Sequence, residues 1–178
     1  MKKLVEEGAR YDDLHSVVTK AVDLCMKRST DGQRVLSAVQ NAHKLFEAMG
    51  EVTQTYGYVA YHFAYCKFNL YKMTAHGPRQ RKDLVGYLKE AEDYVNKAIQ
   101  LTNEDHYRHH LANQYRLLGY IHSELSVIQK STEEQVIAFY EKARRCNPEI
   151  RIDQMSIPRG HHSQFRPMGS PEIGRAHV

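Results

Sequence analysis

Three stretches of this chain repeat one spacing of small and large residues. "AHKLFEAM" carries Ala42, Leu45, Phe46 and Met49; "AEDYVNKAIQLTN" carries Ala91, Tyr94, Val95 and Ala98; "VIAFYEKARRCNP" carries Val136, Phe139, Tyr140 and Ala143. Starting at 42, 91 and 136, the copies stand 49 and 45 residues apart, room for one helical hairpin each. Such a hairpin cannot bury its own apolar face and has to stack on a neighbour, so the pattern predicts a short array rather than separate units.

Apolar residues recur at helical spacing almost throughout, and no sustained alternating segment rich in β-branched residues appears, so the expected fold class is all-α. The spacing predicts a first helix over Asp12–Met26, burying Leu14, Val17, Val18, Ala21, Leu24 and Cys25. Asp31-Gly32 breaks it, and a second helix over Gln33–Met49 buries Val35, Val39, Ala42, Leu45, Phe46 and Met49 before Gly50 caps it. A third is expected over Glu51–Met73, ended by Gly77-Pro78, and a fourth over Arg81–Leu101 with Leu84, Leu88, Ala91, Val95 and Ala98 inward. A fifth follows over Glu104–Lys130; a sixth opens on "STEE", with Ser131 as N-cap and Glu134 at N3, and stops before Pro148. The expected hairpins are thus 12–49, 51–101 and 104–147 within a repeat domain over 1–148. Residues 149–171 hold three prolines in "SIPRGHHSQFRPMGSP" and no periodicity, and are expected to be a disordered tail or linker. The final "EIGRAHV", Glu172–Val178, resembles a translated sequencing adapter, so it is set apart as an artefact and the chain is expected to be part of a longer protein.

With 42% hydrophobic and 26% charged residues the chain has the balance of a folded soluble protein. The net charge of +4 is too small to favour nucleic acid or an anionic membrane. Cys25, Cys66 and Cys146 are odd in number, far apart and on predicted helices, which points to reduced thiols. No apolar stretch follows the basic start and none is long enough to span a bilayer, so a cytoplasmic protein without membrane association is expected.

"YRLLGY", Tyr115–Tyr120, resembles the first-helix signature of tetratricopeptide repeats, with Tyr115, Leu118 and Gly119 at its aromatic, leucine and small positions. "VIAFYEKARRCNP" resembles the second-helix signature, with Tyr140 and Ala143 at the large and small positions and Pro148 as terminator. The likeness is best over 104–148, weaker over 51–103 and weakest over 12–50; the period exceeds the family's thirty-four residues, and Asn103 stands where a proline terminates the family's repeat. It implies a right-handed α-solenoid of about three antiparallel hairpins in which an aromatic of one helix fills the space over a small residue of the next. It also implies a concave groove that binds a partner's peptide or protein segment.

In "TYGYVAYHFAYCKFNLYKM", a turn of 100° per residue gives two apolar faces, one with Gly57, Ala60, Tyr61, Ala64, Phe68 and Tyr71 and one with Val59, Phe63, Cys66 and Leu70. Tyr58, His62, Tyr65, Asn69 and Lys72 are left as a third stripe that would line the groove, where tyrosines offer area and a hydroxyl at small entropic loss. From the fifth predicted helix, Asn113, Arg116, Tyr120 and Ser123 occupy offsets resembling the family's groove positions.

His106, His109 and His110 lack the further cysteine or carboxylate ligands that zinc requires, so neither metal nor cofactor is expected. Arg79, Arg81 and Lys82, and Lys142, Arg144, Arg145 and Arg151, gather at helix ends. RNA binding there is the competing reading, and a regulatory array within a larger enzyme or signalling protein is a third. No nucleophile elbow, phosphate loop or metalloprotease motif is present, and a non-catalytic scaffold is the expected function. The sequence assigns no oligomeric state.

Overall fold

A computed structural model describes Thr19, Asp23 and residues 32–166. Apart from Thr19 and Asp23, which are helical and exposed, the predicted first helix with Cys25 lies outside the described residues, as do residues 167–178 with the adapter-like end. Seven α-helices are present among the described residues, with no strand, so the all-α expectation holds. The chain divides into two compact units between Thr102 and Asn103.

In the first unit, α1 (Gly32–Ala48) buries Ala38, Val39, Ala42 and Phe46, the stripe expected of an amphipathic helix. It ends before Gly50, whose φ of +56° is the left-handed region where a Cβ is unfavourable. The helix predicted over 51–73 is instead two: α2 (Val52–Thr55) and α3 (Gly57–Thr74), separated by Tyr56 in extended conformation. A Cβ on Gly57 would lie 3.3 Å from the Ala98 carbonyl oxygen and 3.4 Å from Leu101 Cβ, so glycine at the start of α3 lets it come close to the last turn of the helix over Val85–Leu101. Both apolar faces read for α3 are used: Ala60, Ala64, Phe68 and Tyr71 are buried on one, Val59, Phe63, Cys66 and Leu70 on the other.

The fourth predicted helix also divides, into α4 (Pro78–Asp83) and α5 (Val85–Leu101), with Leu84 outside helical geometry. Pro78 opens a helix here rather than only ending one, since its missing N–H falls where no intrahelical partner exists. Leu88, Ala91, Val95 and Ala98 of α5 are fully buried. Phe63 joins the layers, stacked at 5.3 Å on Phe46 of α1 and tilted at 4.7 Å against Tyr94 of α5.

The second unit pairs α6 (Arg108–Val127) with α7 (Glu133–Cys146). Residues 104–107, predicted helical, form a turn in which Asn103 Oδ1 accepts from the Asp105 N–H. At the other end, the Lys130 N–H reaches the Leu125 carbonyl and the Gln129 N–H that of Ser126, a Schellman closure with Gln129 at φ +59° where glycine is the usual residue. The capping box of α7 is one residue later than predicted: Thr132 and Gln135 exchange the two capping bonds. Ser131 is otherwise engaged, its hydroxyl 2.7 Å from His122 Nδ1 and 2.8 Å from Gln135 Oε1. Gly119 permits the close approach of the hairpin, because a Cβ there would overlap the Tyr140 ring edge.

The expected disordered tail is corrected over residues 149–166. Ile150, Ile152, Ile157 and Phe165 are buried, and two 3-10 turns, Gln154–Ser156 and Ser163–Phe165, shape a strap against α6 and α7. Packing on Val136, Ile137 and Tyr140 supplies the burial that the segment's lack of periodicity concealed.

Gly119→Ala should destabilise the second unit by about 1–3 kcal/mol through overpacking, while Gln129→Gly should stabilise it by about 0.5–1 kcal/mol by relieving the left-handed residue. Urea unfolding followed by circular dichroism checks both signs.

Candidate functional site

Of the predicted groove residues, four lie along one side of α6, and the strap lies on them. Arg116 Nη1 donates to the Arg151 carbonyl at 2.8 Å while its Nη2 is held by Asn113 Oδ1 at 3.1 Å. The Tyr120 hydroxyl accepts from the Asp153 N–H at 3.0 Å, and Ser123 Oγ donates to the Ser156 carbonyl at 3.0 Å. Residues 116, 120 and 123 are spaced by four and three, which puts them on one helix face.

The strap runs parallel to α6. From Arg116 to Ser123 the helix rises about 10 Å, whereas five extended residues would cover about 16 Å. The 3-10 turn Gln154–Ser156 removes that mismatch, capped by Asp153, whose Oδ1 accepts from the Met155 N–H at 3.0 Å. Tyr140 closes the site from α7: its hydroxyl donates to Ser156 Oγ at 2.8 Å, and its ring meets Tyr120 and Phe165 at 6.0 and 5.6 Å. Burial holds that phenol far above its ordinary pKa, so it remains a neutral donor, with the Ser156 hydrogen bond as a smaller opposing influence. Ile150 packs with Ala112 and Ala143; Ile152, Ile157 and Phe165 pack with Val136, Ile137 and Tyr140. Met155 at the turn is 93% exposed.

In the first unit, Tyr58, His62, Tyr65 and Asn69 are half-buried and Lys72 is exposed. Tyr58 also packs on the core cluster, and Tyr61, His62 and Tyr65 form a run of ring contacts at 5.1–6.4 Å. Among the signature residues, Ala91, Val95, Ala98, Leu118, Tyr140 and Ala143 are buried, Tyr115 is half-buried and Pro148 is exposed.

Sequence reasoning missed a charged cluster inside the first unit. Lys67 has a side chain only 6% exposed, with Nζ 2.7 Å from Glu90 Oε2 and 3.2 Å from His43 Nε2. The ammonium also lies 4.4 Å from the Phe63 ring centroid and 5.9 Å from those of Tyr87 and Tyr94, so aromatic faces supply part of the solvation that water would give. An ammonium can only donate, so His43 Nε2 accepts and Nδ1 carries the proton, 3.5 Å from Glu47 Oε1. A cavity of about 320 Å³ opens beside His43, Lys67, Tyr87 and Glu90. The signal was available, since Lys67 is four residues after Phe63 and three before Leu70, on a face read as apolar. The cluster ties α1, α3 and α5 together.

The remaining polar groups are less organised. His106, His109 and His110 are exposed, and no metal-binding group of His, Cys, Asp or Glu occurs among the described residues. Several basic groups serve the fold: Arg144 donates to the Pro148 and Arg166 carbonyls, and Lys142 lies 5.7 Å from the ring centroids of both Tyr115 and Phe139. Arg79 is 96% exposed, near Asp83 at 3.9 Å. Cys66 is buried with Sγ directed to the Val39 carbonyl, and Cys146 is half-buried with its thiol pushed up by burial. No described helix is long and apolar enough to cross a membrane. Compared with protein-family models, curated proteins and solved structures, the chain matches none.

Burial first, and Lys67 second, lower the His43 pKa below the ordinary 6.5, against smaller raising effects of Glu47 and Glu90. The unfolded chain therefore takes up this proton at a higher pH than the folded one, and the stability this provides is present above about pH 6.5 and declines below it. His43→Gln keeps an acceptor for Lys67 but cannot titrate. Its urea midpoint should fall less than that of the parent between pH 7.5 and pH 5.5; equal falls would show that His43 does not set this dependence.

Proposed function

We propose that the chain is a non-catalytic interaction scaffold, a right-handed α-solenoid of helical hairpins resembling tetratricopeptide repeats, that takes an extended segment of a partner protein along its helix faces. One observation carries this reading: Arg116, Tyr120 and Ser123 already hold main-chain groups of residues 151, 153 and 156. Bonds to carbonyls and an N–H grip any chain that presents them, and neighbouring apolar contacts add selectivity. The Gly119–Tyr140 approach supports the repeat architecture, being the small-under-aromatic packing expected between paired repeat helices. In the first unit, Tyr65, Asn69 and Lys72 are the members of the corresponding stripe toward the C-terminal end of α3, half-buried or exposed, and a partner would meet them there.

The test is capture from lysate by the full chain and by a Tyr65→Ala/Asn69→Ala/Lys72→Ala variant with unchanged helical circular dichroism. A protein retained by the parent after nuclease treatment, and reduced at least tenfold on the variant, is the expected outcome. Retention of nuclease-sensitive material alone would contradict the scaffold and direct attention to the basic helix ends, whereas equal retention of a protein by both would remove the first-unit stripe from the binding surface.

A further inference from the structure

The residues that sequence reading assigned to partner binding on α6 are occupied by the chain's own strap, and the kind of occupancy is informative. Each of the three α6 side chains, Arg116, Tyr120 and Ser123, addresses a main-chain group of the strap. Apart from Tyr140 with Ser156 and Gln164 with Glu141, the strap's own side chains are recognised here by apolar contact: Ile150 against Ala112 and Ala143, Ile152 and Ile157 against Val136, Ile137 and Tyr140. Asp153 acts within the strap, shaping the turn, and Met155 points away at 93% exposure. The junction from α7 is short, Asn147 to Glu149, and Pro148 in it keeps the chain from continuing the helix.

We infer that the α6–α7 face is a receptor for an extended segment of definite pattern and that residues 150–157 are its resident intramolecular ligand, which a partner's segment of the same pattern displaces. This deepens the scaffold reading and rests on it. The pattern comes from the strap itself: apolar residues at its first, third and eighth positions, an acid at the fourth to cap the turn, a free sixth position, and a serine at the seventh to meet Tyr140 and Ser123. A segment tethered by three residues acts at an effective concentration of about millimolar or above, so the intact chain discriminates strongly against weak competitors. Exchange would require either a tighter partner or a strap already loosened.

A protease site inserted between Pro148 and Glu149 of the full chain turns the strap into a separate segment without altering any contact residue. The probe is a fluorescent peptide of residues 149–166. After cleavage it should bind at least tenfold more tightly than to the uncut protein and be displaced by unlabelled peptide, with helical circular dichroism retained. An Ile152→Asp peptide should compete at least tenfold less well. An Arg116→Ala/Ser123→Ala receptor, cut in the same way, should bind the probe at least fivefold more weakly. Loss of helix on removing the cleaved strap, or a cleaved strap that never exchanges, would overturn the inference by making the strap a fixed part of the core. So would probe binding that ignores the receptor substitutions. Capture of a partner through Tyr65, Asn69 and Lys72 by a protein whose strap does not exchange would keep the scaffold and remove only the resident-ligand reading.

Discussion

The second unit depends on one ring. Tyr140 is fully buried, its edge fills the space that Gly119 leaves on α6, and its hydroxyl reaches out of the hairpin to Ser156 of the strap. Without the glycine, α6 and α7 could not approach this closely; without the ring, Ile152, Ile157 and Phe165 would lose the surface on which they pack. A buried phenol needs a partner for its hydroxyl, and here that partner belongs to the strap. Hairpin packing and strap binding are therefore two uses of one side chain.

The regular parts of the fold were legible where periodicity and punctuation agreed. Helix α1 and its stop at Gly50, and helix α7 with its stop before Pro148, follow from apolar spacing with a glycine or proline at the end. The interruptions at Tyr56 and Leu84 were not legible, because nothing in the apolar spacing marks a break there; beside the first, Gly57 is where α3 comes close to the backbone of α5. The capping box fell one residue late because Ser131 bonds His122, a partner nine residues upstream that no local pattern reveals. Residues 149–166 were misread for a related reason: an irregular segment buries its side chains singly, so burial leaves no period in the sequence.

The candidate site was legible in part. Family offsets picked out Asn113, Arg116, Tyr120 and Ser123 as groove residues; in the structure Arg116, Tyr120 and Ser123 bond the strap, and Asn113 holds Arg116. That the segment belongs to the same chain was invisible, since Ile150, Ile152 and Ile157 read as sparse apolar residues in a proline-rich stretch. Lys67 was missed because a lysine between Phe63 and Leu70 is ordinarily taken to be solvated, whereas Glu90, His43 and three aromatic rings here replace the water it gives up.

Separability of the strap from the hairpin is the central claim, and native-state hydrogen exchange on the parent and on Tyr140→Phe tests it most directly. The substitution keeps the ring over Gly119 and removes only the hydroxyl that bonds Ser156. Amides of residues 153–157 are predicted to open at lower free energy than those of α6 and α7, and to lose about five- to tenfold in protection in the variant while the helices stay protected, as expected for one neutral hydrogen bond. Strap and helix amides that open together at one free energy in both proteins would contradict the account, because the strap would then be inseparable from the hairpin core.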